Sequence, residues 1–488
     1  MNIYQLFPRL FGNRQTEMHF NGSKSENGCG TFADIDETAL DAIKSLGITH
    51  IWLTGIIRHA SETTGTHTDI TKGRAGSPYA ITDYHDIDPD LGTMADFEAL
   101  VRLIHTKGMK VIIDYIPNHL ARENVGFEPC NFYYCEGQQF VCPSGNGYQE
   151  FPAKATGNNV FAPNPNINDW YDTVKLNYDC RDTWKKMLEI MRYWCAKGVD
   201  GFRVDMAEMV PLDFWRWLLP EVKKDYAVTM IAEIYQPALY RDFIEAGFDY
   251  LYDKVGLYNT LENILCHGHE AREITQVWQS LNGLDAHMLR FMENHDEKRL
   301  ASSLLVGDAK AALPAVAVAA LMDKGPFMIY NGQENGEDAQ GASGYSGNDG
   351  RTTIFDYWNM PRHQRWMNGG RFDQYPELTQ YYTNLLNFRL QHKAISEGSF
   401  YDLMWCNPWY SNFDPQYVYA FLRYTAEERL LIVANFHRTE CRNVEVKIPH
   451  DALQLMGLRK ASDFNMDDFT NEVREVHLAP SEVKILEF

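Results

Sequence analysis

Gly201-Phe202-Arg203-Val204-Asp205 is a short apolar run that ends on a carboxylate. Three other runs share the arrangement. Val-Ile-Ile-Asp closes at Asp114, Met-Ile-Ala-Glu at Glu233, and Arg-Phe-Met-Glu-Asn-His-Asp runs on to Asp296. Apolar runs this short, bounded by turn residues, read as buried strands. A charge at the end of such a strand is costly unless it is paired, hydrated or used. One such acid alone has a second, weaker reading as the N-cap of the next helix. Four of them, accompanied by His119, Arg203 and His295, point instead to a shared site.

Working outward, amphipathic stretches separate the strands: Glu37–Leu46, Met94–Lys107, Asp182–Ala196, Leu212–Lys223, about 258–281, Ala311–Met322 and Leu378–Gln391. The strands themselves are Ile3–Phe7, Ile48–Leu53, Lys110–Tyr115, Gly201–Asp205, Val228–Glu233, Phe248–Leu251, Met288–Met292 and Phe327–Tyr330. Strands alternating with helices predict an α/β fold, here a (β/α)8 TIM barrel. In such a barrel the residues at the C-terminal strand ends form the site. From 120 to 178 the alternation fails in a stretch rich in Gly, Pro, Asn and aromatics, too long for an ordinary loop. It predicts a domain B inserted after the third strand. Beyond 395 only strands follow: Tyr417–Tyr424, Leu430–Asn435, Val444–Ile448, Val473–Leu478 and Val483–Phe488. They predict a C-terminal antiparallel β-sandwich. The expected domains are therefore 1–119 with 179–394, 120–178, and 395–488.

Composition bounds the function. The chain has 488 residues, 45% of them hydrophobic and 23% charged, enough to bury a large core. The formal charge of −21 argues against nucleic acid or an anionic membrane as the partner, since both require a basic face. No run of about 18 apolar residues occurs, so no membrane span is expected. Met1–Phe7 lacks a basic segment followed by an apolar one. Nine cysteines are an odd number spread along a large chain. Together these features give the expectation of a cytoplasmic protein with free thiols. Cys130, Cys135 and Cys142 cluster in a Gly/Tyr-rich segment. Partly buried thiols, a metal and a disulfide are all open readings there, without the CxxC spacing that would support zinc. HExxH, GxGxxG, P-loop and GxSxG patterns are absent, so several acids without a metal motif suggest chemistry on a neutral, hydroxyl-rich substrate. Hydrolysis of an acetal needs a protonated acid for the leaving oxygen and an ionised partner.

The strings Asp114-Tyr-Ile-Pro-Asn118-His119, Gly201-Phe-Arg203-Val-Asp205, Ile231-Ala-Glu233 and Asn294-His295-Asp296 resemble, in order and spacing, the four signature segments of the α-amylase family, glycoside hydrolase family 13. The resemblance spans nearly the whole chain. It implies a retaining enzyme acting on α-glucosides, with Asp205 as nucleophile, Glu233 as acid and base, and Asp296 binding sugar hydroxyls. Arg203 would keep Asp205 ionised and aimed. Tyr79, Asp114, His119, Arg203, His295 and Arg299 would make up the substrate-binding set. Tyr79 would stack on a sugar, the alternative being a core tyrosine. Arg299 would reach the non-reducing side of the site, the alternative being a surface arginine. Glu208 and Met209 would line the leaving-group side. Tyr133, Tyr134 and Trp170 in the insert are further candidates for sugar platforms.

Some family positions differ. Where the fifth segment often reads Gln-Pro-Asp-Leu-Asn, with the Asp serving calcium, this chain has Thr173-Val174-Lys175-Leu176-Asn177. That stretch looks more like the Met-Pro-Lys-Leu-Asn form of neopullulanases and cyclomaltodextrinases. Lys175 weakens the case for calcium, because a cation repels a cation. Asn118 remains as a candidate metal ligand, with side chain–backbone support of the insert as its favoured alternative role. The expected substrate is a maltooligosaccharide or starch-like α-glucan cleaved at α-1,4 links. An α-glucosidase, a neopullulanase-like enzyme, a glucosyltransferase and a sucrose phosphorylase are the same-family alternatives. A non-catalytic carbohydrate-binding homologue would be expected to have lost one of the acids, and all are present.

Overall fold

The computed structural model describes residues 1–64, 71–121, 123–132, 134–136, 139–141, 149–150, 172–345, 347–367, 376–408, 412–458 and 472–487. Tyr133, Cys142 and Trp170 lie outside the described residues. Tyr134 and Cys135 fall on a strand, Tyr134–Glu136, of which only the backbone is described.

Eight parallel strands close into a barrel. They are β1 (Asn2–Leu6), β2 (His50–Leu53), β3 (Lys110–Tyr115), β4 (Gly201–Val204), β5 (Thr229–Ala232), β6 (Tyr250–Tyr252), β7 (Met288–Phe291) and β8 (Phe327–Tyr330). Each pairs with its neighbours in chain order, and β1 pairs with β8 to complete the ring. The two-residue period of a strand divides its side chains between two faces. Ile3, Trp52, Ile112, Ile231, Tyr252, Leu289 and Met328 fill the interior. Tyr4, Ile51, Val111, Phe202, Met230, Leu251 and Phe327 belong to the larger core shared with the surrounding helices. Following the inner phase toward the C-terminal rim leads from Ile112 to Asp114 and from Ile231 to Glu233. On β4 the same phase runs Gly201, Arg203, Asp205. The alternation that packs the barrel thus delivers the carboxylates to its mouth.

After β3 the chain leaves the barrel, and an antiparallel pair forms the neck of the insert, with His119 opposite Lys175 and Ala121 opposite Thr173. At the insert's base the Cys130 and Cys180 sulfurs lie 3.2 Å apart, so the near neighbour of Cys130 is a thiol at the start of the helix Arg181–Ala196. Two elements differ from expectation. The stretch 258–281 is two helices, Asn259–Cys266 and Ile274–Leu281, because Gly268 turns the chain between them at φ +72°. The C-terminal part gains a strand, β9 (Ser399–Asp402). With β10 (Val418–Tyr424), β11 (Arg429–Asn435) and β14 (Val483–Glu487) it forms a four-stranded antiparallel sheet in the order β9-β10-β11-β14. A second sheet pairs β12 (Arg442–Ile448) with β13 (Glu472–Leu478). Ile432 of the first sheet and Val446 and Val476 of the second share one buried cluster. Among the described residues no helix is long and apolar enough to cross a membrane.

Candidate active site

One guanidinium organises the barrel mouth. Arg203 is buried. Its Nη1 donates to Asp205 Oδ1 at 2.8 Å and to Asp114 Oδ1 at 3.3 Å. Its Nη2 lies 2.8 Å from Glu233 Oε2 and 3.9 Å from Asp296 Oδ2. Four carboxyl groups therefore face one fixed cation, an arrangement that favours retention of protons. Burial, with Glu233 and Asp114 adding to it, pushes Asp205 above the usual carboxylate range, and Arg203 opposes the shift. Burial also raises Asp296 and takes Asp114 up to about 6, again against Arg203.

A cavity of about 380 Å³ opens over this cluster. Asp205, Glu233 and Asp296 line it, together with Tyr79, His119 and His295. Asp205 Oδ2 is buried there and has no hydrogen-bond partner among the described residues. Glu233 is held from two sides. Its Oε2 accepts the Met206 N–H at 2.8 Å and its Oε1 accepts the Tyr235 hydroxyl at 2.6 Å. Met206 reaches this position in a left-handed conformation, φ +44°, costly for a side chain-bearing residue and characteristic of functional turns.

The histidines are neutral. Burial, then Arg203, takes His295 well below its ordinary value. The Gln5 amide donates to His295 Nδ1 at 2.8 Å, leaving the proton on Nε2, which lies 2.5 Å from the Tyr79 hydroxyl. Tyr79 in turn donates to Asp114 Oδ1 at 3.3 Å, and its ring stacks on His295 with centroids 5.3 Å apart. Burial, then Lys175, pulls His119 down to about 3. The Asn118 amide donates to His119 Nδ1 at 3.1 Å.

Three expectations need correction. Arg299 neither lines the cavity nor reaches the surface. It is fully buried, donating to Glu293 Oε2 at 2.8 Å, Thr352 Oγ1 at 2.7 Å and the Asn331 carbonyl at 3.1 Å. With no exposed surface, it has no face to offer a sugar. Asp114 sits beneath the floor, accepting from Trp52 Nε1 at 3.1 Å as well as from Arg203 and Tyr79. Asn118 is not open to a metal. Its Oδ1 accepts from the Lys175 ammonium, which also donates to the Met209 carbonyl at 3.1 Å. These residues do not fit calcium, since an ammonium already occupies the space among the oxygens. Burial brings Lys175 down to about 7. Among the described residues no group of three or more His, Cys, Asp or Glu side chains is arranged to hold a metal.

The cavity wall also includes residues that periodicity does not reveal. Lys72 and Asp172 pair at 3.9 Å across it. Tyr345 hydrogen-bonds Asp296 Oδ1, and Arg351 donates to the Asp296 carbonyl at 2.5 Å. Glu208 lines the cavity and Met209 does not; the Glu208 Oε2 is occupied by the N–H groups of Tyr235 and Gln236, both at 3.0 Å.

The convergent carboxylates and neutral histidines thus lie at the C-terminal mouth of a closed parallel barrel, where barrel enzymes carry their sites. The family description "Alpha amylase, catalytic domain" matches residues 5–353. Alpha-amylase 3 of Dictyoglomus thermophilum is 26% identical over 447 residues, covering 82% of this chain and 80% of its own. The oligo-1,6-glucosidase of Parageobacillus thermoglucosidasius is 23% identical over 601 aligned positions, covering 99% and 97%. Among solved structures, the maltogenic alpha-amylase AmyB of Thermotoga neapolitana has the same fold, with a TM-score of 0.67 at 22% identity, covering 100% of this chain and 96% of that one. The chain belongs to the α-amylase family. It is a glycoside hydrolase of the amylase type.

Proposed function

We propose that the protein is a retaining hydrolase of α-1,4-glucosidic bonds in maltooligosaccharides or starch-like α-glucans. The observation that carries the reading is Asp205 Oδ2, a buried carboxylate oxygen at the cavity with no hydrogen-bond partner among the described residues, held beside Glu233 by Arg203. An unsatisfied buried acceptor costs about 1–3 kcal/mol, and the anomeric carbon of a bound sugar is the electrophile it suits. In the first step Asp205 Oδ2 bonds to that carbon as the glycosidic bond breaks, and Glu233 gives its proton to the departing oxygen. In the second, Glu233 takes a proton from water, whose oxygen displaces Asp205 from the sugar. Arg203 opposes the upward shift of Asp205 through a charge-assisted hydrogen bond and so favours the ionised nucleophile. Asp296, His119 and His295 bind hydroxyls of the cleaved glucose unit, and Tyr79 presents its ring to the sugar's apolar face. In this reading the domain limits are 1–119 with 179–394 for the catalytic barrel, 120–178 for the insert and 395–488 for the β-domain.

Linkage and chain length are the finer questions. The P. thermoglucosidasius relative is named for α-1,6 bonds, so the test includes both linkages. A timed product profile on maltoheptaose, pullulan and cyclodextrins is expected to show cleavage of maltoheptaose to shorter maltooligosaccharides. Hydrolysis of pullulan's α-1,6 links alone would redirect the linkage, and dominance of longer products would redirect the reaction to transfer. Failure to cleave any of them would remove the reading.

A further inference from the structure

The residues around Glu233 assign a distinct task to each of its oxygens, and this inference rests on the reading of Glu233 as the acid. Oε2 accepts the Met206 N–H at 2.8 Å and lies 2.8 Å from Arg203 Nη2 in an ion pair, so it is the oxygen turned to the cation. Oε1 is left as the oxygen able to hold and deliver a proton, and the Tyr235 hydroxyl lies on it at 2.6 Å. Tyr235 is itself held in place. Its backbone N–H and that of Gln236 both donate to Glu208 Oε2 at 3.0 Å. All three side chains line the same cavity.

We propose that Tyr235 is a positioning residue for the acid: anchored by Glu208, its hydroxyl occupies the delivering oxygen of Glu233 and yields that place to the glycosidic oxygen of the bound glucan. A hydroxyl can both donate and accept, so it stays on Oε1 whether or not the carboxyl is protonated. The bond to the charged form is the stronger one. Burial, with Glu233 adding to it, pushes Tyr235 well above the ordinary tyrosine range, so it remains a neutral donor. The other charged or titratable groups facing Glu233 are Arg203 and Asp205 at the end of β4, Tyr252 on β6, His295 and Asp296 after β7, and Tyr345 after β8. None of these residues is itself altered in Tyr235→Phe.

The test is the pH dependence of kcat/KM and of kcat on maltoheptaose for the wild type, Tyr235→Phe and Glu208→Ala, with Glu233→Gln alongside. The limb in kcat/KM reports the free enzyme, where Tyr235 sits on Oε1. The limb in kcat reports the complex, where the glycosidic oxygen has replaced it. Tyr235→Phe is expected to move the alkaline limb of kcat/KM upward by about one pH unit and to leave the alkaline limb of kcat in place. Glu208→Ala is expected to move the first limb in the same direction by less. Unchanged limbs in Tyr235→Phe, with Glu233→Gln inactive, would overturn the role of Tyr235 and leave the acid assignment standing. A Glu233→Gln variant as active as wild type would overturn the acid assignment itself.

Discussion

Arg203 bridges Asp205 and Glu233 through two different nitrogens, 2.8 Å to each. A lysine would keep the charge and lose the fork. Arg203→Lys should therefore lower kcat on maltoheptaose by about 10²-fold or more, with a smaller change in KM, because each charge-assisted bond is worth about 1.5–3 kcal/mol; steady-state kinetics checks this. Arg299 should behave differently. Its partners Glu293, Thr352 and Asn331 are all protein, so Arg299→Met should leave Glu293 buried and unpaired and cost about 3–5 kcal/mol of stability, measured by denaturant unfolding. The contrast also shows which residues could be read from sequence. Asp205, Glu233 and Asp296 each interrupt an apolar run, and that interruption is visible in a single segment. Arg299 is defined by contacts 6, 32 and 53 positions away, and nothing local distinguishes it from a surface arginine. Tyr235 and Tyr345 were hidden for the same reason: each acts on a carboxylate from a loop without periodicity.

At the scale of elements, the neck strands Thr173–Lys175 and His119–Ala121 connect the insert to the site. Lys175 donates to Asn118 Oδ1, which turns the Asn118 amide so that its N–H meets His119 Nδ1. An ammonium thereby orients a cavity histidine through one intervening side chain. Lys175→Ala should leave the Asn118 oxygen buried and unsatisfied, at about 1–3 kcal/mol, and release the His119 ring. The expected outcome is a lower Tm together with a higher KM for maltoheptaose, while a chelator leaves the wild-type Tm unchanged. A chelator that lowers the wild-type Tm would show that a metal supports the neck. The neck was legible only in part. Lysine in place of a carboxylate was visible, but its two acceptors come from Asn118 and Met209, distant in sequence. Elsewhere, regular elements were legible where periodicity was strong, as in Leu212–Lys223 and Lys110–Tyr115. The short strand Ser399–Asp402 was not, because its burial is uneven and its edge is defined by pairing with Val418–Tyr424.

For the molecule as a whole, closure of the barrel depends on β1 meeting β8, and a buried pair marks the seam. Tyr4 on β1 donates to Glu334 Oε1 at 2.7 Å just after β8. Burial raises Glu334 from 4.5 to about 7, with Tyr4 opposing. A carboxyl raised in the folded state contributes stability that is complete below pH 4.5 and is lost as pH rises through about 7. Glu334→Gln mimics the protonated form. Its Tm should match the wild type near pH 5 and exceed it at pH 8, with a gain of up to about 3 kcal/mol; thermal unfolding at the two pH values decides it. The overall architecture was legible because a strand–helix rhythm repeated around one core is hard to reconcile with another closed fold, whereas the insert between residues 120 and 178 lacked any such rhythm. In the proposed reaction Asp205 attacks the anomeric carbon with Glu233 as its acid. Hydrolysis of maltoheptaose followed by proton NMR tests this most directly. Wild-type enzyme should release a new reducing end first in the α-configuration, and Asp205→Asn should lose nearly all of that activity; a β-configured first product, or an Asp205→Asn rate close to wild type, would contradict it.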